Sequence, residues 1–144
     1  MDNLFVTCPT TYDDSHYEAV SLLLGQLTSR TIVFTDDDYR KLIADSHSYL
    51  FLLHCGDSVV GMITVGVYLS PTGSKAWIED VVVDNAYRGR GLGKRLVVHA
   101  IDYCKEQGID TLMLTSNPKR IAANALYRSL GFDQKETNVY RMAL

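Results

Sequence analysis

Apolar and polar positions follow two different periods along the chain. Apolar residues recur every three or four positions in four segments, which are therefore predicted helices. These segments are residues 13–27, 35–46, 92–107 and 117–131. Runs rich in β-branched and aromatic residues predict strands between them. These runs are residues 4–8, 48–55, 58–69, 75–83 and 109–115, with one or two further strands predicted in the tail at 132–144.

Residues that start and stop secondary structure support this order. Thr35 is placed to cap the second helix, and three aspartates follow it where the helix dipole favours negative charge. Asn117 is the predicted cap of the last helix, with Pro118 as its first residue. Residues 56–58 and 71–74 predict tight turns between consecutive strands, and a helical crossover predicts that strand 109–115 lies parallel to strand 75–83.

The predicted fold class follows from these elements. The order is β-α-α-β-β-β-α-β-α-β(β), an α+β fold that forms a three-layer α/β arrangement with a mixed, mostly antiparallel sheet flanked by helices. A length of 144 residues with 47% hydrophobic residues supports one core, so we predict a single domain over residues 1–144.

Charge and cysteine content narrow the classes of function. The net charge of −3 argues against a general polyanion surface, so nucleic acid is not an expected partner. Three widely spaced cysteines form no CxxC pair, and therefore neither a disulfide framework nor a bound metal is expected. No leader and no apolar run of about 20 residues is evident, so we expect a cytoplasmic protein without a membrane partner.

The most informative stretch is "RGRGLGK", residues 88–94, between a predicted strand and a predicted helix. Clustered backbone N–H groups and the helix dipole at such a position bind phosphate groups. The glycine spacing does not fit G-x-G-x-x-G, and Arg95 occupies the place of the hydroxyl residue in a P-loop. A turn with permissive glycines and no ligand is the remaining structural alternative.

The same residues carry a resemblance to a known family. Arg88, Gly91 and Gly93 fit the R/Q-x-x-G-x-G/A signature, and "VVVDNAYRG" and "AANALYRSLGF" look like the family's adjacent strand and later helix. The chain resembles the Gcn5-related N-acetyltransferase (GNAT) superfamily over residues 62–132. The resemblance implies an acetyl-CoA site, with pyrophosphate at the glycine turn and pantetheine along the preceding strand. The implied cofactor-binding residues are Val81, Val83, Arg88, Gly89, Arg90, Gly91, Leu92, Gly93, Lys94, Asn124 and Tyr127.

Acetyl transfer to an amine also needs a proton acceptor and a group that protonates the departing thiolate. An alkyl ammonium with a pKa of about 10.4 is mostly protonated at neutral pH, so a carboxylate is a suitable base. Glu79 and Asp80 lie on the predicted cofactor strand, and in a regular strand only one of them can face the site. The resemblance implies Glu79 as the base, a backbone N–H near Val81 for the oxyanion, and Tyr127 as the general acid.

The predicted activity is direct transfer of an acetyl group from acetyl-CoA to a primary amine of a small molecule or peptide. Trp77, Tyr68 and Tyr140 are placed by topology near the acceptor. Two alternatives stay open: a glucosamine-6-phosphate type of amino-sugar N-acetyltransferase, and a non-catalytic acyl-CoA-binding module. The apolar tail "NVYRMAL" would allow a homodimer.

Overall fold

A computed structural model describes residues 3–144. Within these residues the chain forms five strands and four α-helices, with a short 3₁₀ turn at Asn85–Tyr87. The strands are β1 (Leu4–Thr7), β2 (Ser48–Cys55), β3 (Ser58–Ser70), β4 (Gly73–Val83) and β5 (Thr111–Met113). The helices are α1 (Asp14–Leu27), α2 (Asp36–Ala44), α3 (Leu92–Glu106) and α4 (Ile121–Ser129).

The five strands form one mixed sheet in the order β1-β2-β3-β4-β5. The first four strands pair antiparallel, and β5 pairs parallel to β4 after the crossover through α3. The predicted α+β class, the hairpins and the parallel crossover are therefore confirmed.

Helices cover both faces of this sheet. Val20 and Leu23 of α1 and Tyr39 of α2 pack with Leu52 and Met62 on one face, in a cluster of fully buried side chains. On the other face, the Phe51 ring contacts the rings of His99 and Tyr103 of α3, with centroids 4.6 and 5.2 Å apart. Burial of these apolar surfaces is the main stabilising contribution that holds the three layers together.

The chain divides into two compact units, of which the first ends at Leu114 and the second spans Thr115–Leu144. The first contains the sheet with α1, α2 and α3, and the second contains α4. The single domain over residues 1–144 stays a prediction. No helix within residues 3–144 is long and apolar enough to cross a membrane.

Two predictions for the second unit are wrong. Helix α4 begins at Ile121 after Arg120, because Asn117 instead folds a turn in which its Oδ1 accepts the Lys119 N–H at 2.9 Å. Residues 133–144 form no strand, and every side chain among them is exposed. This segment buries no apolar face, so nothing offsets the entropy that an ordered strand would lose.

Candidate active site

A bulge interrupts β4 at the predicted catalytic position. Glu79 lies opposite Thr64 and Val82 opposite Met62, so β4 has one more residue than β3 between these pairs. Asp80 occupies the bulge with φ +52°, the one positive φ of a non-glycine residue in the described chain. Aspartate tolerates this left-handed conformation better than most residues. The premise that Glu79 and Asp80 alternate in a regular strand is therefore wrong, and both side chains are exposed.

The Glu79 carboxyl group is tuned toward accepting a proton. Its surroundings limit solvation of the charged form, and the neighbouring Asp80 carboxylate adds repulsion. Both effects raise the pKa of Glu79 above its ordinary value. A carboxylate with a raised pKa is a stronger base at neutral pH than an ordinary one.

The second half of β4 has an open edge within the first unit. β5 pairs with β4 only at residues 75–77, so residues 78–83 pair with β3 alone. In an antiparallel pair, every second residue directs its N–H and C=O groups toward the partner strand. The Asp84 N–H donates to the Val60 carbonyl at 2.8 Å, so Asp84 is one of the residues that face β3. Val83 and Val81 therefore direct their N–H and C=O groups away from β3, toward this edge. An extended ligand can pair there as an additional strand does.

Helix α3 starts with backbone donors that no side chain caps. Gly91 is its N-cap residue with φ +74°, and no side chain caps the helix. The first bond within the helix runs from the Arg95 N–H to the Gly91 carbonyl at 3.1 Å, which leaves the N–H groups of Leu92, Gly93 and Lys94 without an intrahelical acceptor. A Cβ placed at Gly91 or Gly93 would meet no described atom within 4 Å. Open space beside unpaired donors fits a phosphate group.

The basic residues of this turn have different contacts. Arg88 Nε donates to the Val83 carbonyl at 3.1 Å, and Arg95 Nη2 donates to the Leu4 carbonyl at 3.2 Å. The Arg90 guanidinium lies 5.1 Å from the centre of the Tyr87 ring. Lys94 is exposed. Arg88 and Arg95 therefore also fix the turn to β4 and β1, in addition to adding positive charge.

One positioning contact has no signal in the sequence. Gln26, in the last turn of α1, accepts the Asn85 N–H on its side-chain oxygen at 2.7 Å. Asn85 lies between β4 and the glycine turn, 59 residues away along the chain. Periodicity assigns residues to helix faces but pairs no two of them over such a separation, so this residue could not be predicted.

The second unit contains the two remaining predicted site residues on α4. Asn124 uses its amide nitrogen locally, donating to the carbonyls of Arg120 and Asn117 at 2.7 and 2.9 Å. Tyr127 is buried, and its ring contacts Phe132 edge-on with centroids 6.0 Å apart. The Tyr127 hydroxyl makes no hydrogen bond to residues 3–144. Asn124 therefore stabilises the start of α4, whereas the Tyr127 hydroxyl has no internal structural partner.

Comparisons with known proteins agree with this arrangement. The profile of the acetyltransferase (GNAT) family matches residues 17–132. Glucosamine 6-phosphate N-acetyltransferase from Arabidopsis thaliana is 30% identical over 129 residues, which cover 78% of this chain and 80% of that protein. Mycothiol acetyltransferase from Renibacterium salmoninarum is 34% identical over 90 residues, 61% of this chain, but the match spans only 27% of that protein's length.

A solved structure extends the likeness to nearly the whole chain. An aminoglycoside acetyltransferase from an uncultured soil metagenomic sample aligns with a TM-score of 0.84 over 98% of this chain and 95% of that chain. At 19% identity this likeness shows the shared fold alone. The family profile covers the bulged strand, the open edge and the uncapped helix start, and the chain belongs to the GNAT acetyltransferase family.

Proposed function

We propose that this chain transfers an acetyl group from acetyl-CoA to a primary amine. The observation that carries the proposal is the sequence of features in residues 78–94: an exposed carboxylate with a raised pKa, an open strand edge and an uncapped helix start. A base, a site for an extended ligand and a site for phosphates lie on one continuous segment. This combination suits a long phosphorylated co-substrate whose reactive end must meet a base.

The described residues fit coenzyme A. The N–H groups of Leu92, Gly93 and Lys94 would receive the pyrophosphate, and the exposed Lys94 ammonium would add attraction. The N–H and C=O groups of Val81 and the N–H group of Val83 would hold the pantetheine amides, because the Val83 carbonyl already accepts the Arg88 Nε–H. When bound, acetyl-CoA supplies an electrophilic thioester carbon and a thiolate leaving group.

The chain's own residues would handle the protons and the developing charge. Glu79 accepts a proton from the acceptor ammonium, directly or through water, because its raised pKa makes it a competent base. The Val81 N–H meets the negative charge that develops on the acetyl oxygen. Tyr127, whose hydroxyl has no partner in the described chain, donates a proton toward the sulfur.

The acceptor is a primary amine of a small molecule or a peptide. An amino-sugar phosphate is the second candidate, because the similarity to the Arabidopsis glucosamine 6-phosphate enzyme covers most of both chains. The presence of both Glu79 and Tyr127 favours an enzyme over a non-catalytic acyl-CoA-binding module, because binding alone needs neither a base nor an acid. Three free cysteines fit the cytoplasm as the proposed compartment. Exposed Val139, Tyr140 and Met142 leave an apolar tail that would serve a homodimer.

The test combines binding with turnover. Acetyl-CoA and CoA should raise the thermal midpoint, whereas NAD and ATP should have little effect. Thiol release should then depend on an amine, and Glu79→Gln should lower kcat about 100-fold with the CoA affinity retained. Glu136→Gln, which removes an exposed carboxylate from the tail, is the matched control and should leave kcat unchanged. Stabilisation by NAD or ATP but not by CoA would reject the proposal.

A further inference from the structure

The face of the sheet beneath α1 and α2 continues beyond the buried core. The core cluster on this face ends at Leu50, Met62 and Val82. The pairing of β3 with β4 then continues through Glu79 opposite Thr64, Trp77 opposite Gly66, and Lys75 opposite Tyr68. Alternate residues share a face, so these six positions lie on the same face as Met62. We call them the aromatic strip: Thr64, Gly66, Tyr68, Lys75, Trp77 and Glu79.

An aromatic pair lies beside the proposed base in this strip. Trp77 is two residues from Glu79 along β4, and its Nε1 donates to the Tyr68 hydroxyl at 3.4 Å. Tyr68 is 47% exposed, although an aromatic ring gains by burial. A Cβ at Gly66, across from Trp77, would meet no described atom within 4 Å. The two rings therefore border open space on the side of the strip that leads to the Glu79 carboxylate.

Lys75 lies at the end of the strip that is farthest from Glu79. The Lys75 ammonium donates to the hydroxyls of Ser70 and Thr72, and no carboxylate within residues 3–144 lies close enough to pair with it. Lys75 is two residues from Trp77, about 7 Å along the strand. Its uncompensated charge disfavours a second cation there and favours an anionic or neutral group.

From this placement we propose that the aromatic strip selects the acceptor: a primary amine attached close to a flat ring and lacking a second cation. The amine would meet Glu79, the ring would stack on Trp77 beside Tyr68, and Lys75 would exclude polyamines. Sugar rings and aromatic rings share this chemistry, since both present a flat C–H or π surface to an indole. The inference rests on the proposed acetyl transfer, but its binding step can be measured without turnover.

Trp77 is the only tryptophan of the chain, so its fluorescence reports directly on the strip. The 144-residue chain is titrated with benzylamine, butylamine, glucosamine and p-xylylenediamine, each without acetyl-CoA. Benzylamine or glucosamine should change the emission saturably at about fivefold to tenfold lower concentration than butylamine, the usual size of a ring-stacking contribution. Whichever of benzylamine and glucosamine saturates at the lower concentration shows whether the preferred ring is aromatic or a sugar. If neither benzylamine nor glucosamine reaches half-saturation below butylamine, or if no amine gives a saturable change, the proposal is overturned.

Three variants separate the ring from the charge. Tyr68→Leu should weaken benzylamine and leave butylamine unchanged, whereas Leu69→Ala, at an 80% exposed position on the opposite face, is the control and should change neither. Lys75→Gln should bring p-xylylenediamine, which is benzylamine with a second ammonium, to the affinity of benzylamine. A lasting difference between these two ligands in Lys75→Gln would overturn the assigned role of Lys75.

Turnover distinguishes the two levels of the proposal. If ring amines bind at Trp77 and no amine is acetylated, the proposed function fails and the strip stands as a binding site. If neither benzylamine nor glucosamine is acetylated with a higher kcat/KM than butylamine, in the parent protein and in Tyr68→Leu alike, the strip has no selective role and acetyl transfer stands.

Discussion

Helices α2 and α3 begin in opposite ways. Thr35 caps α2 through a reciprocal pair of hydrogen bonds, in which its Oγ1 accepts the Asp38 N–H at 3.1 Å and Asp38 Oδ2 accepts the Thr35 N–H at 2.9 Å. Three aspartates fill the first turn of α2. Helix α3 follows its N-cap residue Gly91, with no side-chain cap and no acidic residue in its first turn.

The difference separates stability from binding. At α2 the chain satisfies its own donors and compensates the helix dipole, so this helix start stabilises the fold. At α3 the chain leaves the donors open and places Lys94 and Arg95 in the first turn, which costs stability until an anion binds. A helix start that combines unpaired N–H groups with basic residues is therefore a candidate phosphate-binding site.

The largest effect is expected from a negative charge introduced at the start of α3. Gly91→Asp places a carboxylate where the phosphates would bind. The loss of two charge-assisted hydrogen bonds, each worth about 1.5–3 kcal/mol, should raise the Kd of CoA at least about 100-fold in isothermal titration calorimetry. Gly56→Asp is the matched control, because Gly56 also has a positive φ, +58°, but lies in the β2–β3 turn. Equal weakening by both variants would show that backbone strain, not charge, is responsible.

A smaller effect is expected at Tyr127, the proposed general acid in the second unit. Tyr127→Phe should lower kcat about tenfold or more, because a positioned proton donor is lost. The thermal midpoint should change little, since the hydroxyl makes no hydrogen bond within the described residues. Tyr49→Phe removes a hydroxyl that donates to the Ser46 carbonyl and has no proposed role in the site, so it is the control for steady-state kinetics. A wild-type kcat in Tyr127→Phe would assign this tyrosine to packing alone.

Removing the cap of α2 should lower the stability of the fold without changing CoA binding. Thr35→Ala removes the capping box and should lower the free energy of unfolding by about 1 kcal/mol in urea denaturation, with the Kd of CoA unchanged. Lys41→Ala removes only the exposed ion pair with Asp37 at 3.2 Å and should have little effect. Weakened CoA binding in Thr35→Ala would contradict the division between the two helix starts.

The smallest effect concerns the contribution of Glu79 to the stability of the fold. Because folding raises the pKa of Glu79, its contribution to stability is present below the unfolded pKa of about 4.3 and is lost as the pH rises through the folded value. Glu79→Gln should therefore raise the thermal midpoint slightly at pH 7.5, and the gain should shrink toward pH 4.5. A gain that is independent of pH would exclude ionisation of Glu79 as its origin.

The sequence predicted the sheet because its signals are local. The periodic segments of the first unit, the turns at 56–58 and 71–74 and the Thr35 cap act within a few residues, and the structure confirms them. The β4 bulge was missed because one inserted residue shows only against the register of β3. Asn117 failed as a cap because its side chain bonds within a preceding turn.

The candidate site was predictable in part for the same reason. The glycine turn carries a local spacing, and the structure gives it the expected place at the start of α3. Gln26 depends on a contact with Asn85 across 59 residues of the chain, which no spacing encodes. The hydrogen bond between Trp77 and Tyr68 depends on the register of the β3–β4 hairpin, which the turn at 71–74 alone does not specify. The roles assigned to Glu79 and Tyr127 stay predictions until the variants are measured.

Amide NMR spectra recorded during a CoA titration test the central claim most directly. The N–H signals of Leu92, Gly93 and Lys94 at the start of α3 should shift strongly and saturate together. The signals of Asp36, Asp37 and Asp38 at the start of α2 should stay in place, and Gly91→Asp should abolish the α3 shifts. Saturable shifts at the start of α2, or unshifted α3 signals when CoA is bound, would contradict the account.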